Sequence, residues 1–152
     1  MGGKSTFPDG LQTIGNEAFD RNGLKELEIP ESVSYIGKSA FSWCRKLEEV
    51  KLPENPTKLS DKIFYECNAL EKVVLPNNLE SIGDEVFYEC GLNKLEIPES
   101  VSSIGKEAFS ENAALEEINI PRKITKLNDK TFFRCRSLTK IDFPSNLERH
   151  WK

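Results

Sequence analysis

The side chains able to do chemistry in this 152-residue chain are few, and their spacing limits what they can do. The four cysteines, Cys44, Cys67, Cys90 and Cys135, stand 23, 23 and 45 residues apart, without a Cys-x-x-Cys pair or a histidine cluster. Structural zinc needs ligands delivered in short paired spacings, so this arrangement offers no metal site. The single histidine, His150, can complete neither a Ser-His-Asp triad nor a histidine-ligated zinc. Gly3-Lys4-Ser5 imitates the end of a phosphate-binding loop, but the first glycine of that motif and the strand before it are missing. Asn55-Pro56-Thr57 fails as a glycosylation acceptor because its middle residue is proline. Glu48-Glu49 and Glu116-Glu117 would suit a two-carboxylate hydrolase only inside a cleft; on strands their side chains alternate, which makes them part of a solvated face. No catalytic residue, metal or cofactor is expected, and the chain does not read as an enzyme.

Composition removes further classes. With 25 acidic against 21 basic residues, a net charge of -4 and no basic cluster, the chain is not built to track nucleic-acid phosphates. No run approaches the roughly 20 apolar residues that span a bilayer, so membrane insertion is not expected. Met1-Gly2-Gly3-Lys4 leads into Ser5-Thr6-Phe7-Pro8 rather than into an apolar signal region. At 38% hydrophobic residues, 152 residues can bury a core without disulfides.

What positions the cysteines is a repeat. Pro8, Pro30, Pro53, Pro76, Pro98, Pro121 and Pro144 recur at 22, 23, 23, 22, 23 and 23 residues. Six residues after each of the first six stands Ile14, Ile36, Leu59, Ile82, Ile104 or Leu127, and five further on Phe19, Phe41, Phe64, Phe87, Phe109 or Phe132. Three residues past each Phe comes Asn22, Cys44, Cys67, Cys90, Asn112 or Cys135. The cysteines are one column of a lattice, interchangeable with Asn, and are read as reduced, buried thiols that bond turn backbone groups. Stacked coils place equivalent residues about 4.8 Å apart, wider than a disulfide favours. Before each later Pro, sets such as Leu24, Leu27, Ile29 and Leu115, Ile118, Ile120 alternate with polar residues, which predicts a short strand with one buried face, ended by the Pro. Segments such as Gly37-Lys38-Ser39-Ala40-Phe41 are expected to return the chain as a short helical turn, and a second short strand is expected around 33–36 and its equivalents. The 22-residue coils carry Gly23 or Gly91 where a residue is lost, which predicts a tighter corner. Coil lengths recur as 22, 23, 23, and Ile29-Pro30-Glu31-Ser32-Val33-Ser34 returns as Ile97-Pro98-Glu99-Ser100-Val101-Ser102, the mark of a duplicated triplet of coils.

From Leu24 to Cys44 the residues Leu24, Leu27, Ile29, Pro30, Val33, Ile36, Gly37, Ala40, Phe41 and Cys44 follow L-x-x-I-x-I-P-x-x-V-x-x-I-G-x-x-A-F-x-x-C. This resembles the BspA-like, or Treponema-type, leucine-rich repeat, and the resemblance covers about Phe7 to Leu147. Leu59-Ser60 and Leu127-Asn128 depart from Ile-Gly, and after Leu147 the pattern breaks, leaving 148–152 as an irregular tail with His150 and Trp151. The resemblance implies an α/β repeat solenoid: one right-handed leucine-rich-repeat superhelix over residues 1–152, of about six and a half coils, with a parallel concave sheet and short helical turns on the convex side. It also implies a piece of a larger cell-surface or secreted protein that binds a protein partner, such as a host or extracellular matrix protein, without catalysis. A structural or designed scaffold with no native ligand is the alternative.

Two faces compete as the binding surface. The outward strand positions form one column of Glu26, Glu49, Lys72, Lys94, Glu117, Lys140 and another of Glu28, Lys51, Val74, Glu96, Asn119, Asp142. This concave face is charged, mixed and free of aromatics. Trp43, Tyr65 and Tyr88 follow the Phe column in consecutive coils on the opposite side, where they either pack over the turns or form one exposed aromatic stripe; the stripe would be the stronger anchor because binding hot spots favour Trp and Tyr. Uncapped end coils predict end-to-end self-association, with Trp151 as a partial lid.

Overall fold

The structure, a computed structural model, describes residues 7–145. Each coil contributes up to two very short strands. The main strands are β2 (Glu26–Glu28), β4 (Glu49–Lys51), β6 (Lys72–Val74), β8 (Lys94–Leu95), β10 (Glu117–Asn119) and β11 (Lys140–Asp142). The secondary strands are β1 (Thr13–Ile14), β3 (Tyr35–Ile36), β5 (Lys58–Leu59), β7 (Ser81–Ile82) and β9 (Ser103–Ile104). All pairings are parallel and link repeat-equivalent residues: Leu27 with Val50 and Val50 with Val73, Leu95 with Ile118 and Ile118 with Ile141, Leu59 with Ile82 and Ile82 with Ile104. With a partner one coil away on each side, two or three residues per strand suffice.

The core is the inward column set. Phe41, Phe64, Phe87 and Phe109 are fully buried. Their rings stack 5.6–5.8 Å apart within 13° of parallel. Phe19 and Phe132 extend the stack at the two ends. Burying one Phe contributes roughly 1.5–3 kcal/mol, so the column adds a continuous apolar spine to a core made mostly of Leu, Ile and Val.

Among the described residues the expected helical turns are absent; the fold is a β-solenoid of about six turns with parallel sheets. In their place each coil makes tandem tight turns in which alternate N–H groups have different destinations. In the first coil Ala18, Asp20 and Asn22 donate three residues back, to Gly15, Glu17 and Phe19, whereas Glu17, Phe19 and Arg21 donate to Lys38, Ala40 and Ser42 of the next coil. A helix would consume every N–H within its own segment. Here half of them stitch coils together, and the required alternation puts two non-glycine residues per coil at positive φ: Glu17 and Arg21, Ser39 and Trp43, Lys62 and Glu66, Glu85 and Glu89, Glu107 and Glu111, Lys130 and Arg134. Left-handed backbone costs an L-residue roughly 1–2 kcal/mol, which the inter-coil bonds offset.

Two interruptions break the sheets. The main sheet is split into β2-β4-β6 and β8-β10-β11, at the coil that the Gly91 deletion shortens. Gly91 N–H instead donates to Leu70 O at 2.9 Å, and a Cβ there would meet Asn68 O at 2.7 Å. The secondary sheet breaks between β3 and β5, where Pro56 occupies the core column otherwise held by Leu11, Val33, Leu79, Val101 and Ile124. Those five residues each donate their N–H to the repeat proline's carbonyl three positions back, a bond that Pro56 lacks the hydrogen to make.

Candidate functional site

Three arrays of side chains are candidates, each built by the stacking. The first is the Asn/Cys column. The Cys44, Cys67, Cys90 and Cys135 thiols donate to the carbonyls of Phe19, Phe41, Phe64 and Phe109 at 3.1–3.2 Å. Asn112 Nδ2 does the same work with two bonds, to Phe87 O at 2.7 Å and Phe109 O at 2.9 Å. In the first coil Asn22 Oδ1 instead accepts from Leu24 N–H at 3.1 Å. All four cysteines are free. Burial pushes the Cys90 thiol far up and the Cys135 thiol up to about 11. The neighbouring Cys44 thiol and burial together push Cys67 far up. Those three thiols are inert as nucleophiles at neutral pH, whereas hydrogen bonding, first from the Cys67 thiol, draws the Cys44 thiol below its usual range. Among the described residues no group of three His, Cys, Asp or Glu side chains could hold a metal ion.

The second array is the outer face of the main strands. Glu26 opposes Glu49, Glu49 opposes Lys72, and Lys51 opposes Val74. Glu117 bridges Lys94 at 3.2 Å and Lys140 at 3.8 Å. Val74 is the apolar feature, 48% exposed beside a hollow of about 260 Å³ lined by Glu26, Glu49, Lys51 and Lys72. A second hollow of about 630 Å³ lies over the sheet interruption, between Val74 and Glu96. On its far side Asn119 stands in for a strand: its Oδ1 accepts from Ile97 N–H at 3.1 Å and its Nδ2 donates to Ile97 O at 3.0 Å. Lys72 and Lys94 meet across this gap in the sequence columns without pairing as strand neighbours.

The third array is the aromatic stripe on the turn face. Tyr65 and Tyr88, each one residue past its Phe, stack at 4.8 Å and 11°. Trp43, two residues past Phe41, is offset from that column and meets Tyr65 at 6.0 Å and 59°. All three are half-buried. Cations cover the stripe: Arg21 and Arg45 lie 5.1 and 4.7 Å from the Trp43 ring, and Lys62 lies 5.3 Å from that of Tyr65. Phe133 resumes the tyrosine column after Ser110, 41% exposed beneath Lys130 and Arg134. Arg45 also pairs with Glu66 at 3.1 Å, and Arg134 with Glu111 at 3.4 Å. Glu66 is pushed up to about 7, first by burial and then by its hydrogen bond to and the charge of Glu89. The column reading marked the aromatics but not these charged partners. Their signal is present in the repeat: Lys62 and Lys130 stand three residues before their rings, at the same coil position. Gly3, Lys4, Ser5, His150 and Trp151 lie outside the described residues.

Stacked parallel strands, a phenylalanine spine and an Asn/Cys turn column define a leucine-rich-repeat solenoid. The chain belongs to the BspA-type leucine-rich repeat family, whose model matches residues 3–113 and 57–150. It is similar to the solved structure of a Treponema pallidum leucine-rich repeat protein, at 32% identity and a TM-score of 0.87 over 97% of this chain and 71% of that one. A Bacteroides ovatus leucine-rich repeat protein matches at 32% identity and a TM-score of 0.74, over 90% of this chain and 42% of that one. A leucine-rich cell-surface protein of Faecalibacterium prausnitzii shares the fold at 22% identity and a TM-score of 0.58, over 90% of this chain and 52% of that one. No curated protein matches the chain.

Proposed function

We propose that this domain is a protein-recognition module whose anchors are Trp43, Tyr65 and Tyr88, with a host or extracellular matrix protein as the partner and the cell surface as the setting. The observation that carries this reading is the stacked, half-exposed aromatic run across three consecutive coils. Aromatic anchors dominate protein interfaces, where a buried hot spot is worth about 2 kcal/mol or more, whereas an exposed ion pair contributes about 0–1 kcal/mol. The charged strand face, with Glu26, Glu49, Lys51, Lys72, Val74, Lys94 and Glu96, serves in this reading to steer encounter rather than to hold the complex.

The test is a biolayer panel of purified matrix and serum proteins, scored with two variants. Replacing Trp43, Tyr65 and Tyr88 together by Ala is expected to weaken a positive interaction at least about tenfold with the fold intact by circular dichroism. Glu49→Lys with Lys72→Glu is expected to change mainly the association rate and its salt dependence. Binding lost on charge reversal and untouched by the aromatic substitutions would move the site to the strand face. No binding anywhere in the panel would favour a scaffold without a ligand.

A further inference from the structure

The repeat offers an internal comparison. Tyr65 and Phe133 each carry a lysine ammonium 5.3 Å from the ring centroid, supplied by Lys62 and Lys130, three residues earlier. Both lysines stand at the same positive-φ turn position. Phe133 carries a second cation from Arg134, one residue later. At Tyr88 the position three earlier is Glu85 and the position one later is Glu89. Among the described residues no cation lies over the Tyr88 ring.

The surroundings of Tyr88 have the sign that a cation requires. One side of its ring is stacked on Tyr65. On the other, the column continues with the small Ser110, whose carbonyl accepts from Glu89 N–H at 2.9 Å. Burial first, and then the carboxylates of Glu111, Glu89, Glu107 and Glu66, hold the Tyr88 hydroxyl above its usual range. Glu66 and Glu111 already have arginine partners. Glu85, Glu89 and Glu107 have no ion-pair partner among the described residues. A half-buried aromatic face ringed by carboxylates attracts a guanidinium or ammonium through both the ring quadrupole and the net charge.

We propose that Tyr88, with Glu85, Glu89 and Glu107, is a seat for an arginine or lysine side chain on a basic segment of the partner protein. The chain fills the equivalent seats of Tyr65 and Phe133 from within and leaves this one to be filled from outside. The inference rests on the reading of the turn face as the partner surface, and it specifies the chemistry of that partner.

The chain has three tyrosines, and Tyr35 is exposed away from this stripe, so ring-labelled tyrosine makes a simple probe with a built-in control. Titration with the peptide acetyl-(Gly-Arg)4-amide is followed by carbon-proton correlation spectra in about 100 mM salt, where distant charges are screened. Tyr88 ring signals are expected to move saturably while those of Tyr35 stay fixed. Glu85→Lys rebuilds the arrangement that Lys62 and Lys130 have and supplies the cation from within. It is expected to weaken the peptide at least about tenfold. Glu71→Lys makes the same charge change at an exposed position before the strand and is expected to cost less than about twofold. A fixed Tyr88, or equal losses in the two variants, overturns the seat. If Tyr88 does not respond yet the aromatic triple substitution still abolishes partner capture, the seat falls and the recognition reading stands. If Tyr88 responds but partner capture ignores the aromatics, the seat stands and the recognition reading falls.

Discussion

The turn-face glycines predict a coupled pair of substitutions. Gly83 has its missing Cβ aimed at the preceding coil: a methyl there would sit 2.5 Å from Asp61 Oδ1 and 2.8 Å from Leu59 O. Asp61 Oδ1 is held in place because it accepts Asp84 N–H at 2.9 Å. The same arrangement joins Asn16 to Lys38 N–H beside Gly37, and Asp84 to Lys106 N–H beside Gly105. Where the preceding coil has Lys38 or Lys106 instead, the glycine is replaced by Ser60 or Asn128, whose side chain donates to Ile36 O at 2.8 Å or Ile104 O at 2.6 Å. Each junction therefore makes one side-chain bond, from one coil or from the other, and never has room for both. Gly83→Ser alone overpacks the junction and dislodges a bond to a carboxylate. Overpacking costs about 1–3 kcal/mol, and a charge-assisted bond contributes about 1.5–3 kcal/mol, so a loss of about 3 kcal/mol is expected. In a chain already carrying Asp61→Lys, the added Gly83→Ser should instead recover stability, giving a favourable coupling of about 2 kcal/mol in a double-mutant cycle. Thermal unfolding reads this directly, at roughly 2–4 °C per kcal/mol for a domain of this size. Additive losses, or a Gly83→Ser variant as stable as the parent, would refute the either-or junction.

The thiol column should behave as a backbone-bonding device. Native protein at pH 8 should react with a disulfide reagent at Cys135 first, the residue least buried, and the non-reduced unfolded chain should titrate four thiols. Cys90→Asn should be tolerated better than Cys90→Ala by about 1 kcal/mol in denaturant unfolding, because Asn112 shows that an amide can bond the same carbonyl. Glu66 has its folded carboxyl raised to about 7, and Arg45, Glu89 and Glu111 are the charged groups that act on it. An acid raised in the native state binds its proton there more tightly than in the unfolded chain, so its contribution falls as pH rises from about 4.5 to 7 and is level above that. The melting-temperature advantage of Glu66→Gln over the parent should therefore grow between pH 5 and pH 7.5; an advantage that shrinks would contradict the assignment. Glu117→Ala breaks two exposed pairs, to Lys94 and Lys140, yet should cost no more than about 1 kcal/mol.

Coil number, register, the Phe spine and the Asn/Cys column were legible because each rests on residue identity repeated at one period. The turns were not. Positive φ usually announces itself through Gly or Asn, and here it falls on Glu, Lys, Arg, Ser and Trp43, residues with no such preference. Inter-coil bonding imposes that conformation, and no short stretch of sequence shows it. The cysteine-column bonds follow from the Asn/Cys exchange, which pairs a weak donor with a strong one. The aromatic stripe was only half legible. Trp43 sits one position beyond the tyrosine column, an offset visible by counting from Phe41 and Phe64, and it changes a single stack into a stack with a tilted neighbour. The cations over those rings come from other positions of the repeat, so they appear only once coils are laid side by side.

The inter-coil bonds of the turn face have a sense as well as a number. Among the described residues the alternate N–H groups of the tandem turns all donate forward, three from each coil to the next: Ser39, Phe41 and Trp43 donate to Asp61, Ile63 and Tyr65, and Glu107, Phe109 and Glu111 to Asp129, Thr131 and Phe133, whereas Gly37, Gly83 and Gly105, which open the turns, donate back to Ile14, Leu59 and Ile82. The peptide dipoles along this face add up, with N–H ends pointing towards later coils and C=O ends towards earlier ones. The tandem-turn ladder thus has a polar axis, opposite in sense to that of an α-helix relative to chain direction. A donor-bearing coil face can be extended only by an acceptor-bearing one. Any coil stacked through this face, whether from the same chain or from a second molecule, must therefore arrive head to tail. Two like faces would set donor against donor or acceptor against acceptor. Association through the turn ladder is directional and open, suited to continuing a rod rather than closing a two-fold dimer.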